Sequence, residues 1–330
     1  MQRIRNTSQS KNSLILVSPR RYGKTSVVIN ALEKYALPFI FVDCFEVTDE
    51  KSLLEKVTTA YFQALRKGDV LDKLKSLSQS LHVEYSFSAN GIQVKITRHD
   101  DTALRTVLQE ATKKHLLVLD EFQELFLADK ILVKKLRSVL QFLSQGVIFL
   151  GSKKHLLLYL FSDQRSPFYN FGEIMYLQKI PEEEWSVFVK EKFHATHVPI
   201  TKEEMKVLLT YSDLIPFYVQ YLFYHYWEEK KNNGKLTPSD FLEKLLHTNS
   251  YMYEELYQKL PVLQKKALGI VAVGEEKVFS EKTRLQFQVL SSQALNKAFS
   301  LLCEKGFLEK NGSYQFNDPL LRRHIQKVMH

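Results

Sequence analysis

The 330-residue sequence contains little cysteine and no long apolar run. Cys44 and Cys303 are its only cysteines, which is too few for a disulfide framework or a zinc site, so we expect both to be reduced core residues. The longest apolar stretches, such as Leu156–Phe161, are far shorter than the roughly 20 residues of a membrane-spanning helix. The first residues, MQRIRNTSQSK, also lack the apolar segment of a secretory signal. These absences predict a cytoplasmic protein with no membrane partner.

Positive charge exceeds negative charge in this sequence. There are 46 lysines and arginines against 37 aspartates and glutamates, which gives a net charge of +9 and a pI near 9.2. A basic surface is compatible with nucleic-acid binding, although charge alone does not establish it. The length is typical of a protein with two or three domains.

The most informative segment is SPRRYGKT, which follows the apolar run Leu14–Val17 and precedes a helical pattern. A strand, a polar loop ending in GKT and a helix are the context of a phosphate-binding P-loop. In such loops, backbone N–H groups surround phosphate oxygens at a helix N-terminus, and a glycine permits the tight turn. The sequence therefore predicts a nucleoside-triphosphate site. Its expected binding residues are Ser18, Pro19, Arg20, Arg21, Tyr22, Gly23, Lys24, Thr25 and Ser26.

Two side chains of this loop have predicted roles in the chemistry. Lys24 is expected to reach the β- and γ-phosphates, and the hydroxyl of Thr25 is expected to bind Mg²⁺. The loop departs from the pattern GxxxxGK[ST] at its first position, where Ser18 replaces glycine. Because Pro19 follows, we expect Ser18 to continue the preceding strand in an extended conformation.

A second candidate motif is LLVLDEFQE, at residues 116–124. Four consecutive aliphatic residues predict a strand that is buried on both faces, and carboxylates at the end of such a strand lie at the ligand edge of a parallel sheet. Asp120 is expected to bind Mg²⁺, and Glu121 to orient or deprotonate the attacking water. The alternative is a buried strand followed by a solvated acidic turn.

Three further positions are candidates for sensing or stabilising the γ-phosphate. Ser152 follows the predicted strand Val147–Leu150, where P-loop ATPases place a polar sensor, although such a hydroxyl also serves as a helix N-cap. Arg165 is a candidate arginine finger, with Arg20 and Arg21 as rivals that the sequence does not separate. The predicted catalytic residues are thus Glu121, Lys24, Ser152 and Arg165.

The order of elements predicts an α/β fold. Strands at Leu14–Val17, Phe39–Asp43, Leu116–Asp120 and Val147–Leu150 alternate with helices, which indicates a parallel P-loop NTPase sheet with helices on both faces, at residues 1–180. A β-hairpin is predicted as an insertion at about 81–98, because alternating segments flank the turn signal Ala89-Asn90-Gly91. Residues 181–250 are predicted to form a helical domain.

Residues 251–330 predict a winged helix-turn-helix. Helices are expected near 260–272, 280–290 and 292–305, followed by a two-stranded wing at 307–315 with its turn at Asn311-Gly312. The third helix would expose Gln293, Asn296, Lys297 and Ser300, and both DNA and protein remain open as its partner.

These blocks resemble the archaeal-type ATPase family, in the STAND branch of P-loop ATPases. The resemblance rests on PRRYGKTS, LDEFQEL, GSKKHLL, SPFYNF, IPFYVQYL and NDPLLRRHI, in that order along nearly the whole chain. It implies ATP as the nucleotide, and it implies that the helical domain is a lid whose Pro216 packs near the adenine. Leu214 stands where the lid motif usually has glycine, and residues 1–12 lack the acidic box that family members carry before the first strand. We therefore expect a shortened chain or a differently built adenine pocket.

The sequence thus predicts a Mg²⁺-dependent ATPase that acts as a nucleotide-controlled switch, with slow hydrolysis and possible self-association. Two alternatives remain. One is a nucleic-acid-binding regulator whose nucleotide site is vestigial or a ligand pocket, and the other is an interaction scaffold. Salt dependence of DNA binding separates these two, because released counterions make affinity for DNA fall steeply with salt.

Overall fold

The computed structural model describes residues 1–65, 69–77, 81–88, 91–232 and 235–329. The chain divides into two compact units. The first unit comprises residues 1–19 and 23–178, and the second comprises residues 20–22 and 179–330.

The first unit alternates helices and strands. Its helices are α1 (Gln2–Gln9), α2 (Lys24–Lys34), α3 (Glu50–Ala64), α4 (Asp69–Leu77), α5 (Ala103–Ala111), α6 (Gln123–Ala128), α7 (Lys130–Leu140) and α8 (Lys154–Ser162). Its strands are β1 (Ser13–Val17), β2 (Phe39–Asp43), β3 (Leu81–Ser88), β4 (Gly91–His99), β5 (Leu116–Asp120), β6 (Val147–Gly151) and β7 (Gly172–Tyr176).

Five of these strands form a parallel sheet in the order β2-β5-β6-β1-β7. β1, β5 and β6 are buried along their whole length, as their aliphatic runs predict. The sequence analysis missed the edge strand β7, since GEIMY is short, includes a glycine and a charge, and is only partly buried. The other four strands lie where they were predicted.

Helices pack on both faces of the sheet. On one face, Ile4 of α1 and Val28 and Leu32 of α2 cover alternate strand residues such as Leu16 and Val118. On the other face, α3, α5, α7 and α8 bury the remaining strand residues in a second, larger core. The parallel sheet with helices on both faces is that of a P-loop NTPase, as predicted.

The predicted hairpin is the antiparallel pair β3 and β4, and it packs on α3. β4 buries its alternate residues, of which Ile96 is fully buried. Side chains of α3 bind its backbone, since Thr59 accepts from the Val94 N–H and Glu55 from the Ile96 N–H. The predicted turn residues Ala89 and Asn90 lie outside the described residues.

The second unit is largely helical. Its helices are α9 (Glu182–Ala195), α10 (Lys202–Tyr211), α11 (Pro216–Asn232), α12 (Pro238–Gln258), α13 (Val262–Ala272), α14 (Glu281–Gln286), α15 (Ser292–Glu304) and α16 (Pro319–Met329). Between α15 and α16 runs the antiparallel hairpin β8 (Leu308–Asn311) and β9 (Ser313–Phe316).

One apolar core joins the helices of this unit, from Trp185 of α9 to Ile325 of α16. α12 runs through residue 250, where the sequence analysis places a domain boundary. Gly312 turns the hairpin with φ +78°, a conformation that favours glycine. No helix in the described part of the chain is long and apolar enough to cross a membrane.

Candidate nucleotide site

The loop between β1 and α2 has the geometry of an anion-binding turn. Gly23 is the N-cap of α2 and adopts the left-handed conformation, with φ +77°, which other residues rarely adopt. No side chain caps the first turn of α2, so its backbone N–H groups are oriented to bind an anion. Ser18 is buried at the end of β1, and its N–H lies 3.5 Å from the Gly151 carbonyl oxygen. It thus extends the pairing of β1 with β6.

Lys24 begins α2 and is buried, with 7 % of its surface exposed. Its Nζ lies 3.7 Å from Oε1 of Glu121. A buried ammonium is costly unless an anion balances it, and Glu121 supplies that charge. The distance is longer than a hydrogen bond, so the contact is an ion pair of loose geometry.

Thr25 and Asp120 lie side by side, as expected for two ligands of one Mg²⁺ ion. The Thr25 hydroxyl donates to Oδ2 of Asp120 at 2.7 Å, and Oδ1 of Asp120 accepts from the Glu121 N–H at 2.8 Å. Burial raises the pKa of Asp120 despite these hydrogen bonds and the nearby Lys24 charge.

These two oxygens fit a magnesium ion whose remaining ligands are phosphates and water. In the described part of the chain, no cluster of three or more histidine, cysteine or acidic residues forms a protein-only metal site. The Thr25 hydroxyl and the Asp120 carboxylate are oxygen ligands of the kind that Mg²⁺ takes together with phosphate oxygens.

Glu121 directly follows β5 and has φ +47°, which is uncommon for a residue other than glycine. Such strain clusters at functional sites and costs on the order of 1 kcal/mol or more. Oε2 of Glu121 accepts hydrogen bonds from the Ser152 hydroxyl, at 2.9 Å, and from the Gln123 amide. Its carboxylate thus lies between the end of β6 and the start of α6.

Ser152 is not the cap of the following helix. The N-cap of α8 is Lys153, and no side chain caps that helix. The hydroxyl of Ser152 instead donates to Glu121, so the N-cap interpretation is wrong. In this structure, Ser152 positions the carboxylate.

Arg165 lies apart from these residues. Its guanidinium binds both carboxylate oxygens of Asp163, at 3.0 and 2.8 Å, and 82 % of its side chain is exposed. These hydrogen bonds lower the pKa of Asp163 to about 2. The structure does not place Arg165 beside Glu121.

Arg21 belongs to the second unit with its neighbours Arg20 and Tyr22. Its guanidinium donates to the Tyr218 hydroxyl and lies 3.5 Å from Oδ2 of Asp318. Its carbonyl accepts from the Phe217 N–H at 3.2 Å. Arg21 is therefore bound on several sides within that unit.

The other loop residues of the second unit, and the predicted lid residue, are placed as follows. Arg20 is exposed, and its Nη1 approaches Gly306. Tyr22 packs against the core of the second unit, where burial raises its pKa to about 12. Pro216 is the buried first residue of α11. In the first unit, Pro19 is partly buried, and Ser26 is exposed on α2.

The structure thus brings together five predicted residues at the ends of β1, β5 and β6: Lys24, Thr25, Asp120, Glu121 and Ser152. It adds one residue that the sequence analysis missed. Gln123 is fully buried and contacts Glu121. The sequence signal for Gln123 is its position between Phe122 and Leu125, since a polar residue among core residues indicates a buried polar contact.

The chain is similar to known proteins in part of its sequence and in its fold. The family model described as AAA domain matches residues 5–161. A Walker-type ATPase of Pyrococcus abyssi has a similar structure, with a TM-score of 0.68 and 18 % identity over 98 % of this chain and 94 % of that one. The ORC2 protein of Aeropyrum pernix in its ADP form follows, with a TM-score of 0.53 and 13 % identity over 99 % of this chain and 91 % of that one.

No curated protein matches the sequence significantly. Identities below 20 % to the two solved structures establish the fold and not the activity. The AAA match covers the loop, Asp120, Glu121 and Ser152. Residues 5–161 are therefore similar to an AAA domain, and this match includes the candidate nucleotide site.

Proposed function

We propose that this protein is a Mg²⁺-dependent ATPase of the archaeal-type STAND branch that works as a nucleotide-controlled switch. The observation that carries the proposal is the convergence of Lys24, Thr25, Asp120 and Glu121 at one edge of the sheet. This edge of the sheet carries residues for phosphate binding, for metal binding and for water activation, and these residues contact one another.

Each residue has a role that follows from its position. The uncapped first turn of α2 and the Lys24 ammonium bind phosphate oxygens, and Thr25 with Asp120 holds Mg²⁺. When bound, Mg²⁺ neutralises the charge of the phosphates. Glu121 orients the attacking water and accepts its proton.

Glu121 changes partner in this proposal. It pairs with Lys24 through Oε1, whereas Ser152 binds Oε2. Phosphate oxygens compete for the Lys24 ammonium, which releases Oε1 to bind water while Oε2 stays in place. Ser152 contributes by positioning Glu121, in addition to its predicted role as a sensor.

The switch role is supported by residues 20–22. These loop residues group with the second unit, where Arg21 is bound by Tyr218 and Asp318. A change in the conformation of this loop on nucleotide binding would therefore move Arg21. Arg21 is bound to Tyr218 of α11 and to Asp318, which directly precedes α16. We propose that α9–α12 form the lid, with Pro216 near the adenine.

We further propose that residues 251–330 are a winged helix that binds the partner. Three helices followed by the hairpin β8-β9 have the order of that motif. Gln293, Asn296, Lys297 and Ser300 are exposed on α15, and only Lys297 is charged. Leu285 and Leu290, which precede α15, are 65 % and 92 % exposed. This composition favours protein over DNA as the partner.

Self-association is part of the same proposal. Arg165 is exposed on the first unit, so a neighbouring copy can receive it as an arginine finger. Turnover per chain should then rise with protein concentration in the parent and stay constant in Arg165→Ala. Parallel curves for the two proteins would exclude Arg165 as a finger supplied between copies.

The decisive experiment is steady-state ATP hydrolysis with Mg²⁺ by the parent, Lys24→Ala and Glu121→Gln, together with binding of a fluorescent ATP analogue. We expect Lys24→Ala to lose binding, and Glu121→Gln to bind ATP without turning it over. Equal hydrolysis by Glu121→Gln and the parent would refute the role of Glu121.

Duplex DNA is added in a second series over a range of salt concentrations. Stimulation that falls steeply with salt would identify DNA as the partner, against our expectation of protein. ATP binding without turnover in the parent would indicate a ligand-gated switch. Absence of ATP binding would indicate a vestigial loop and refute the proposed function.

A further inference from the structure

Gln123 is a fully buried amide two residues after Glu121, at the start of α6. Its Nε2 donates to Oε2 of Glu121 at 2.5 Å and to Oε1 of Glu124 at 3.3 Å. Glu124 is also paired with Lys153, at 2.8 Å. Both amide hydrogens of Gln123 are thus directed at carboxylates.

The other end of this amide has no polar partner. Oε1 of Gln123 is buried without a hydrogen bond, and it lies against Gly151. A Cβ added to Gly151 would lie 2.1 Å from this oxygen and 2.7 Å from a methyl carbon of Leu157, so glycine leaves room here for both side chains. Glycine at the end of β6 thus accommodates Gln123 in its observed position.

Charge determines the orientation of the amide. If it were turned by half a rotation, its carbonyl oxygen would face the carboxylates of Glu121 and Glu124, and its NH₂ group would face Gly151. Repulsion between the oxygens excludes that arrangement.

The oxygen without a partner is an unfavourable feature of glutamine at this buried position. A buried polar atom without a partner is destabilising, whereas methionine has a similar shape and has no such atom. What glutamine provides here and methionine would not is the pair of hydrogen bonds from Nε2 to Glu121 and Glu124.

We propose that Gln123 is a positioning residue for Glu121, an inference that rests on the proposed ATPase function. Gln123 and Ser152 bind the same oxygen, Oε2, from α6 and from the end of β6. Two donors on Oε2 restrict rotation of the carboxylate and hold Oε1 on the side of Lys24. Gln123 thereby sets the direction in which Glu121 receives water and its proton.

The test is Gln123→Met in the full chain, compared with the parent. We expect kcat to fall by about 10- to 100-fold, because a misplaced catalytic group costs up to about 10² in rate. The KM for ATP and the affinity for a fluorescent ATP analogue should stay within about twofold, since the hydrogen bonds of Gln123 go to Glu121 and Glu124 and not to the loop. The thermal midpoint should change by less than about 2 °C, which corresponds to under about 1 kcal/mol.

Gln145 provides the matched control. Its Nε2 donates to the carbonyl oxygens of Thr112 and His115, at 2.9 and 2.8 Å, so this amide serves the main chain of the same unit. Gln145→Met should lower the thermal midpoint and leave kcat unchanged. The two variants thus separate a positioning role from a structural one.

A second variant and a double mutant complete the test. Gln123→Leu also removes both donors, so it should lose kcat at least as strongly as Gln123→Met. In a Ser152→Ala background, Gln123→Met should lower kcat further than either change alone, because Oε2 of Glu121 then loses both donors.

The outcomes are distinguishable. Turnover in the parent that Gln123→Met retains in full would overturn the positioning role and leave the ATPase standing. A loss in kcat that matches a loss of folded protein, as measured by the thermal midpoint, would overturn the positioning role as well. Absence of turnover in the parent would refute the proposed function, and the positioning role with it.

Discussion

The two units each contain a lysine–glutamate pair with a buried lysine, and the two pairs are built differently. In the second unit, Lys230 binds Glu204, and only 6 % and 15 % of their side chains are exposed. Glu204 also accepts from the Tyr226 hydroxyl at 2.7 Å and from the Thr201 N–H at 2.7 Å. It is the third residue of α10 and completes the capping box of that helix.

In the first unit, Lys24 and Glu121 are 3.7 Å apart, and 25 % of the glutamate side chain is exposed. Glu121 has a left-handed backbone, whereas Glu204 lies in a regular helix. Hydrogen bonds from Tyr226 and Thr201 also hold Glu204 beside Lys230, and this pair stabilises the fold. The Lys24 pair is loose enough for the lysine to exchange its partner, as a phosphate site requires.

The largest expected effect is the loss of stability in Lys230→Met. Removal of one partner leaves the Glu204 charge buried, which costs about 3–5 kcal/mol. Denaturant unfolding should show this loss, and ATP affinity measured well below the unfolding midpoint should match the parent. A loss of less than about 1 kcal/mol in the free energy of unfolding would show that the Lys230 pair contributes no more than an exposed ion pair. The difference between the two pairs would then not hold.

The next effect is the loss of nucleotide affinity in Lys24→Met. We expect about 100-fold weaker ATP binding, because a hydrogen bond to a charged group contributes about 1.5–3 kcal/mol. Stability should change little, since Glu121 is partly exposed and keeps its hydrogen bonds from Ser152 and Gln123. Titration with a fluorescent ATP analogue and a thermal melt measure the two quantities. A large stability loss with intact binding would reverse our assignment of the two pairs.

A smaller effect is expected for Thr25→Val, which removes the hydroxyl and keeps the branched shape. The Mg²⁺ concentration for half-maximal turnover should rise about tenfold or more, as when a group that supports a metal is lost. Thr25→Ser retains the hydroxyl and serves as the control, so its Mg²⁺ requirement should stay near that of the parent. Equal shifts in both variants would show that packing, and not the hydroxyl, determines the requirement.

The smallest effect concerns acid stability. Burial raises the pKa of Glu204, but the hydrogen bonds from Lys230, Thr201 and Tyr226 outweigh it, and the pKa lies below its ordinary value of 4.5. A lowered pKa in the folded state contributes stability above pH 4.5, and this contribution is lost as the pH falls through the folded value. The free energy of unfolding of Glu204→Gln should therefore depend less on pH in this acidic range. An unchanged slope would show that Glu204 is not the responsible group.

The sequence by itself determined the α/β class and four of the five strands, because aliphatic runs and the glycine of a tight turn carry local signals. It also identified the two motifs that meet at the sheet edge, since a P-loop and a strand ending in acids have distinctive residue types. The edge strand β7 was missed because half-buried strands lack a strong apolar pattern.

Only the tertiary structure decided which side chains touch. Sequence order does not show that Ser152 binds Glu121, or that Gln123 and Leu157 fill the space that Gly151 leaves. It also does not separate the exposed Arg165 from Arg21, which the second unit binds. Residue types are fixed locally along the chain, whereas contacts between strand ends depend on the order β2-β5-β6-β1-β7, which joins residues more than a hundred positions apart.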